Sequence, residues 1–293
     1  MSPATPSPGT SWILNRLFWS AGQAGINAFR RTVATDTRAG FEVELQVRYH
    51  PASGQAGRIA AWDAYARHVV DSFGPNPRVV AMTITNEVNL QFSPNTSDGF
   101  YSRAPDAPIS GIESAHDEAA HRGFGELRFG FTYAYLFVSG MDAVFSAYLG
   151  AHVGAVFRRA VGFVGLDVYP GSIYPPVVSS GSGYRAALAQ ALGVVRDCLS
   201  PMARIRPRVP IWITENGVPT GSLTESQQAA GALSSLVRAA SDYARADNVT
   251  DYAGSTSVTR CRVARQRRPA PWPTTDCCGP TTCPSVVSPP TAT

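Results

Sequence analysis

The sequence contains no lysine, so its 25 basic residues are all arginine. The formal net charge of +4 arises in residues 253–293, where five arginines stand against one acid, Asp276, while the preceding residues are neutral overall. No basic stripe interleaved with aromatic residues occurs, and such a stripe is the usual footprint of nucleic-acid binding. We therefore expect no nucleic-acid partner.

Cysteine and long apolar runs are also scarce. Cys198 is the only cysteine before residue 253, and the four cysteines after it lack a second CxxC pair or nearby histidines, so we expect no metal site. No run approaches the roughly 20 apolar residues of a membrane span. The first residues lack the basic and apolar regions of a signal peptide. We expect a soluble chain with no membrane partner, and the sequence does not indicate its compartment.

The chain does contain a regular alternation of β-rich and helical segments. Its 293 residues, 44% hydrophobic and 16% charged, suffice for one large barrel or two ordinary domains. The pattern predicts an α/β TIM (β/α)8 barrel, with an open doubly wound sheet as the alternative. Helices are predicted at residues 59–73, 106–122, 141–159, 184–203 and 224–246. Strands are predicted at residues 25–33, 41–49, 78–85, 127–137, 161–169, 209–214 and 248–252.

The amino-terminal part of this pattern is short. The residues around 34–40 are too few for a crossover helix between the strands predicted at 25–33 and 41–49. A first strand must then come from residues 11–19 or be absent. We therefore expect an incomplete barrel with strand 1 and helix 2 shortened, and its exposed apolar edges predict poor stability or aggregation.

Two predicted strands end in a glutamate, as TIT followed by Asn86-Glu87 and as WIT followed by Glu215. In a parallel barrel the carboxyl ends of the strands converge on one mouth, where the chemistry is placed. Hydrolysis of a glycosidic bond needs two carboxyl groups there, one to protonate the leaving oxygen and one to attack the anomeric carbon. The alternative is that both are ordinary solvated acids at strand ends.

These segments, TITNEV and ITENG, resemble the (β/α)8-barrel retaining glycoside hydrolases, which carry Asn-Glu after strand four and a glutamate after strand seven. The resemblance implies that Glu87 is the acid/base, that Asn86 contacts the sugar 2-hydroxyl and that Glu215 is the nucleophile. It implies a saccharide or glycoside as substrate, and a mechanism that needs no cofactor. With residues 25–33 as strand two, Glu87 ends the fourth strand and Glu215 the seventh.

The resemblance also implies supporting residues around the mouth. Arg30, or Arg31 if the register differs, is similar to the arginine on strand two that hydrogen-bonds the nucleophile and keeps it ionised. His50 resembles the histidine at the barrel mouth, with a surface loop histidine as the alternative. Tyr169 resembles the aromatic residue near the nucleophile or the bound sugar, although a core tyrosine fits the same pattern.

Three further aromatic residues near strand ends have two interpretations. They could stack on sugar faces, or they could pack in the core, as such residues more often do in barrels. They are Tyr133, Tyr135 and Trp212.

The resemblance stops near Tyr252. Residues 1–252 are expected to form a single barrel domain, and residues 253–293, biased toward Pro, Thr, Arg and Cys, a disordered tail. We interpret this tail as the product of a frameshift near Tyr252, which leaves the eighth strand lost or altered; a Cys-rich binding tail is the alternative interpretation. An inactive barrel remnant or a carbohydrate-binding protein is therefore the alternative function. A serine hydrolase is disfavoured because the sequence has no GxSxG motif.

Overall fold

A computed structural model describes residues 12–91, 96–136, 141–170, 181–217, 234–253 and 259–262. The strands are β1 (Trp12–Phe18), β2 (Glu42–Arg48), β3 (Val79–Ile84), β4 (Arg128–Tyr135), β5 (Val161–Val168), β6 (Ile211–Asn216), β7 (Val249–Ala253) and β8 (Thr259–Arg262). They form a closed barrel in which β8 returns to β1. The first seven strands are parallel, and β8 is antiparallel to both of its neighbours.

Helices lie between consecutive parallel strands, as crossover connections require. They are α1 (Gly22–Arg38), α2 (Ile59–Phe73), α3 (Asp106–Arg122), α4 (Met141–His152), α5 (Ala155–Ala160), α6 (Gly181–Gly193) and α7 (Ser234–Tyr243). Helix α6 continues through a π-helical segment, Val194–Leu199, into a last turn at Ser200–Met202. Within the ranges that the structure describes, no helix has the length and hydropathy needed to cross a membrane.

The expected (β/α)8 barrel is confirmed, and its closure excludes an open doubly wound sheet. The strands predicted from residue 41 onward lie where the sequence placed them, within a few residues at each end. The helix predicted at residues 141–159 is broken by Val153 and Gly154 into α4 and α5.

The prediction of a strand at residues 25–33 is wrong, because this segment lies inside helix α1. Ile26 and Val33 are buried, and Phe29 packs against the same core, which is helical spacing on one face. Strand β1 therefore comes from the segment at residues 11–19, and a helix of 17 residues joins it to β2. Helix 2 is not shortened, and the Asn-Glu segment follows the third strand instead of the fourth.

The eighth strand is altered. Thr259–Arg262 lies within the segment expected to be a disordered tail, yet it pairs with Asp251–Ala253 of β7 and with Trp12 and Ile13 of β1. The rest of the tail from residue 263 lies outside the described residues, as do residues 224–233 of the helix predicted at 224–246. The described part of that prediction contains helix α7 (Ser234–Tyr243).

The lower part of the barrel interior is filled by aromatic rings from the amino-terminal ends of the strands. Trp212 stacks on Phe163 with ring centroids 3.8 Å apart, and Trp12 meets Trp212 edge-on at 5.3 Å. Ala81 completes this buried layer. Because apolar rings close the lower end, the polar chemistry lies at the carboxyl ends above them.

Strand β2 carries polar side chains into that upper part. Val43, Leu45 and Val47 are fully buried in the core shared with the helices. The alternate residues of the strand are polar and equally buried: Glu44, Gln46 and Arg48. Side chains alternate between the two faces of a strand, so a row of buried polar groups lines the barrel interior below the mouth.

Candidate active site

Glu87 and Glu215 lie at the carboxyl ends of two strands, and the structure brings them together. Glu87 follows β3, and Glu215 is the penultimate residue of β6. With Asp167 near the end of β5, they offer carboxylate oxygens that all lie within 4.8 Å of one another. Three carboxyl groups from distant parts of the sequence therefore share the barrel mouth.

Glu215 is held by two hydrogen-bond donors. Arg16 Nη2 donates to Oε1 at 2.7 Å, and the Tyr169 hydroxyl donates to Oε2 at 2.8 Å. The contact with the guanidinium is a charge-assisted hydrogen bond. Burial and the charge of Glu215 raise the pKa of Tyr169, so its phenol remains a donor. Both oxygens of Glu215 are thus fixed in place by donors.

Glu87 is in the opposite situation. Glu87 is only 6% exposed. Asn86 Nδ2 donates to its Oε2 at the long distance of 3.4 Å. Burial and then the negative charge of Glu215 raise the pKa of Glu87 from 4.5 to about 8, against the opposing charges of Arg48 and Arg16. At neutral pH Glu87 is therefore protonated.

A chain of hydrogen bonds connects the two glutamates. Beyond its contact with Glu215, Arg16 donates through Nε to Gln46 Oε1 at 3.0 Å. Gln46 Nε2 then donates to Asn86 Oδ1 at 2.8 Å, and Asn86 adjoins Glu87. The main-chain N–H of Glu87 donates to Thr132 Oγ1 at 2.9 Å. The separation of the carboxyl groups is thus set by residues of β1, β2 and β4.

This barrel resembles several solved structures. A fungal β-1,4-galactanase structure gives a TM-score of 0.52 at 12% identity, covering 78% of this chain and 73% of that chain. A family 5 xyloglucanase from Paenibacillus pabuli gives 0.51 at 10% identity, covering 82% and 77%. A GH5_18 protein from Streptomyces cattleya in complex with GlcNAc gives 0.50 at 16% identity, covering 78% and 58%. The chain has the fold of the (β/α)8-barrel glycoside hydrolases.

The sequence alone carries less of this likeness. No protein-family model matches the chain, and no curated protein sequence matches it. The chain also spans only 58% of the length of the GH5_18 structure and 63% of a family 1 β-glucosidase from Thermotoga maritima. The similarity to glycoside hydrolases is therefore a similarity of fold, and a function for this chain has to be argued from the side chains at the barrel mouth.

The arginine that contacts Glu215 is Arg16, and the prediction of Arg30 for this contact is wrong. Arg30 lies on the exposed face of α1 and donates to Ser72 Oγ at 3.2 Å. Arg31 lies on the same helix. The error follows from reading residues 25–33 as a strand; Arg16, on the true β1, reaches Glu215 instead.

His50 follows β2 beside the mouth, within an aromatic cluster. Its ring packs edge-on against Phe18 with centroids 5.5 Å apart, and its Nδ1 hydrogen-bonds the Tyr101 hydroxyl at 2.8 Å. Tyr169, predicted near the nucleophile or the sugar, lies beside the nucleophile candidate Glu215.

The other predicted aromatic residues lie in the core. Tyr133, Tyr135 and Trp212 are buried, and Tyr133 stacks on Phe145. Trp212 belongs to the lower layer of the barrel interior. The interpretation of these three residues as core packing is the one that the structure supports.

Sequence reasoning missed several polar residues of the mouth. They are Arg16, Gln46, Arg48, Asp98 and Asp167. A signal was present for β2, because EVELQVR alternates polar and apolar residues, whereas parallel strands covered on both faces are usually apolar throughout. Asp98 lies in a loop, where no periodicity indicates its contact.

Three clustered carboxylates are also a donor set that a divalent cation can use. In this cluster, however, Glu215 receives the Arg16 guanidinium, and Asp167 accepts the hydroxyl of Thr214. The Arg16 guanidinium already supplies a positive charge at Glu215, and a protonated Glu87 is a poor metal ligand, so we assign no metal to the mouth.

Proposed function

We propose that this chain is an O-glycosyl hydrolase that cleaves a β-linked saccharide or glycoside by a retaining double displacement. Glu215 is the nucleophile and Glu87 the acid/base. The observation that carries the proposal is the pairing of an arginine-bound carboxylate with a buried, protonated one, whose nearest oxygens lie within 4.8 Å. Retaining enzymes place the two carboxyl groups about 5 to 5.5 Å apart, whereas inverting enzymes need about 6.5 to 9.5 Å to admit a water molecule.

In the first step the Glu215 carboxylate attacks the anomeric carbon and the glycosidic C–O bond breaks. The proton of Glu87 passes to the leaving oxygen, so the departing alcohol is neutral. In the second step Glu87 accepts a proton from water, whose oxygen displaces Glu215 from the anomeric carbon. Two inversions restore the original configuration and return both carboxyl groups to their starting states.

The surroundings of the two glutamates suit these roles before substrate binds. Glu87 holds a proton at neutral pH because it is buried near Glu215, and a general acid needs its proton at the start. Once the glycosyl ester forms, Glu215 loses its charge and one cause of the raised pKa of Glu87 disappears. Glu87, which has already given its proton to the leaving oxygen, then stays in the carboxylate form until it accepts a proton from the attacking water.

The substrate class follows from the fold and the chemistry together. The solved structures of similar fold include a β-1,4-galactanase and a xyloglucanase. We infer a β-linked sugar as the substrate of this chain and leave its identity to the experiment.

The test is intact-protein mass after incubation with a panel of 2-deoxy-2-fluoro glycosides, which trap a covalent glycosyl ester. Wild type is compared with Glu215→Gln. Glu126→Gln serves as a control, because Glu126 is exposed and precedes the amino-terminal end of β4, whereas the mouth lies at the carboxyl ends of the strands. We expect a gain of one sugar mass in wild type and in Glu126→Gln, and no gain in Glu215→Gln.

Absence of label in a folded sample, across several sugars, overturns the proposal. Sugar binding without labelling would then favour the inactive, carbohydrate-binding alternative. A label that persists in Glu215→Gln would show that a different side chain is the nucleophile.

A further inference from the structure

The backbone that presents Glu87 is strained on both sides of Asn86. Thr85 has φ 76° and Glu87 has φ 48°, both in the left-handed region that L-residues seldom adopt. For a β-branched residue such as Thr85 this conformation is especially unfavourable. Strained backbone of this kind persists only where the surroundings over-determine it, and it concentrates at functional sites.

Asp98 supplies contacts that hold this turn. Its Oδ2 accepts the main-chain N–H groups of Asn86 and of Tyr49, each at 2.8 Å. Its own main-chain N–H donates to the carbonyl oxygen of Asn86, also at 2.8 Å. Both main-chain polar groups of Asn86, between the two strained residues, are therefore bound by one residue of the following loop.

The same carboxylate pairs with a buried cation. Asp98 Oδ1 accepts Arg48 Nε at 2.9 Å, with the Arg48 side chain 4% exposed and that of Asp98 fully buried. Burial raises the pKa of Asp98 above its ordinary value, although Arg48 and the two main-chain N–H groups act in the opposite direction. Because every group bound to its two oxygens is a donor, the ionised carboxylate is the form that fits.

We propose that Asp98 is a positioning residue for the acid/base: it holds the strained turn that aims Glu87 into the mouth and cancels the charge of Arg48 beside it. This inference rests on the proposed function, in which Glu87 is the acid/base. Asp98 does not touch the reacting atoms, and it acts through Asn86 and Arg48.

The charges around Glu87 make the second part of this role measurable. Glu215, Arg48, Asp98 and Arg16 all act on its pKa, from β6, β2, the loop after β3 and β1. Asp98 raises that pKa and Arg48 lowers it. The uncharged variant Asp98→Asn therefore leaves Arg48 unbalanced, and the pKa of Glu87 should fall. Removing both charges in Arg48→Met with Asp98→Asn should return it toward the wild-type value.

The experiment follows the titration of Glu87 directly. Protein labelled with ¹³C at glutamate carboxyl groups is titrated by NMR, and the Glu87 signal is identified by its absence in Glu87→Gln. We compare wild type, Asp98→Asn, the double variant and the control Asp142→Asn, which alters another buried aspartate, at the start of α4. Melting curves establish that each sample is folded.

We expect the Glu87 midpoint to fall in Asp98→Asn, to return in the double variant and to stay at the wild-type value in Asp142→Asn. If loss of Asp98 merely loosened the fold and admitted water to Glu87, burial would no longer raise its pKa. The Glu87 midpoint would then stay low in the double variant as well, which would overturn the charge-balancing role. An unchanged midpoint in Asp98→Asn would overturn it as well.

The holding role predicts a separate result. The substrate for this test is the ordinary glycoside, with its 2-hydroxyl, of a sugar whose 2-fluoro derivative labels the wild type. On it, kcat should fall about 100-fold in both Asp98→Asn and the double variant, as for a misplacement of roughly 1 Å, with KM little changed. A wild-type kcat in either variant would overturn it. If Asp98→Asn alone does not fold, the double variant, which leaves no unpaired buried charge, still tests both parts.

The two proposals fail in different ways. The titration needs no turnover, so the expected midpoints in a chain that never forms a label would support the inference and sink the proposed function. A covalent label on the wild type, together with an unchanged Glu87 midpoint in every variant, would support the proposed function and overturn the inference about Asp98.

Discussion

At the end of β6, Glu215 has an arginine on one oxygen and a tyrosine hydroxyl on the other, whereas at the end of β3, Glu87 is buried beside it with a raised pKa. The side chains are identical, and both follow a buried strand. The difference lies in their neighbours: Arg16 donates to Glu215, and the nearer cation to Glu87, Arg48, is already bound to Asp98.

This comparison teaches how a barrel separates the roles of two equal groups. An arginine binds one carboxylate, and the negative charge of that carboxylate helps to keep its neighbour protonated. In the proposed mechanism the roles of acid and nucleophile are therefore a property of the surrounding strands, and changing the neighbours should weaken the contrast without altering either glutamate.

The largest effect on the contrast is expected from Arg16→Met, which removes the cation from Glu215. Hydrogen bonds to charged groups contribute about 1.5–3 kcal/mol, so we expect a loss of about 10- to 100-fold in kcat/KM. Without the guanidinium, Glu215 also loses the donor that fixes its Oε1. Steady-state kinetics measures the loss, on the ordinary glycoside of a sugar whose 2-fluoro derivative labels the wild type.

Arg30→Met is the matched control for this substitution. Arg30 is exposed on α1 and bonds Ser72, so its loss should leave kcat/KM at the wild-type value. Equal losses in the two variants would break the comparison, since they would mean that the contact between Arg16 and Glu215 has no special role.

The contrast between Arg16 and Arg30 also shows which parts of the structure could be predicted from the sequence. The strand ends that carry Glu87 and Glu215 could be predicted, because buried strands followed by a glutamate are short-range patterns. The barrel followed from the alternation of such strands with helices. For residues 25–33, Val and Ile suggested a strand, but the spacing of Ile26, Phe29 and Val33 is helical and decided the outcome.

The remaining mouth residues could not be predicted for a different reason. Gln46 and Asn86 are 40 residues apart, and Arg48 and Asp98 are 50 apart. Their pairing depends on strand register and on a loop, which the local sequence does not specify. The protonation of Glu87 depends on all of these contacts together, so it becomes readable only from the structure.

A second, smaller effect concerns pH and Glu87. Its pKa is about 8 in the folded chain against an ordinary value of 4.5, so between these pH values the folded chain holds a proton that the unfolded chain has lost. The stability of wild type should therefore fall as pH rises from about 4.5 to 8, through this group. Glu87→Gln should remove that dependence of stability on pH. Compared with wild type, the variant should therefore be more favoured at pH 9 than at pH 4. Melting temperatures across this range measure the difference.

Glu126→Gln controls for the other charges of the chain, because Glu126 is exposed. Its melting temperature should follow that of wild type at every pH. Wild-type activity should also decline above about pH 8, as Glu87 loses its proton. Parallel melting curves for wild type and Glu87→Gln would mean that Glu87 titrates as an ordinary solvated acid, and the contrast with Glu215 would vanish.

The smallest effect is expected one residue beyond Glu215. The Tyr252 hydroxyl on β7 donates to the buried Asn216 Oδ1 at 2.9 Å, and Asn216 Nδ2 donates to the carbonyl oxygen of Val168. Tyr252→Phe should cost about 1 kcal/mol, or about 2–4 °C in melting temperature, because one buried acceptor loses its donor. Activity should stay close to wild type, since Arg16 and Tyr169 hold the Glu215 carboxylate directly.

Tyr148→Phe is the matched control, because its hydroxyl donates to Asp106 and joins α4 to α3 in the ring of helices. Both variants should lose a similar amount of stability. If Tyr252→Phe alone also lost activity to the extent of Arg16→Met, the position of Glu215 would depend on β7 and on the altered seam beside it. The arginine contact would then be only part of what separates the two carboxyl groups.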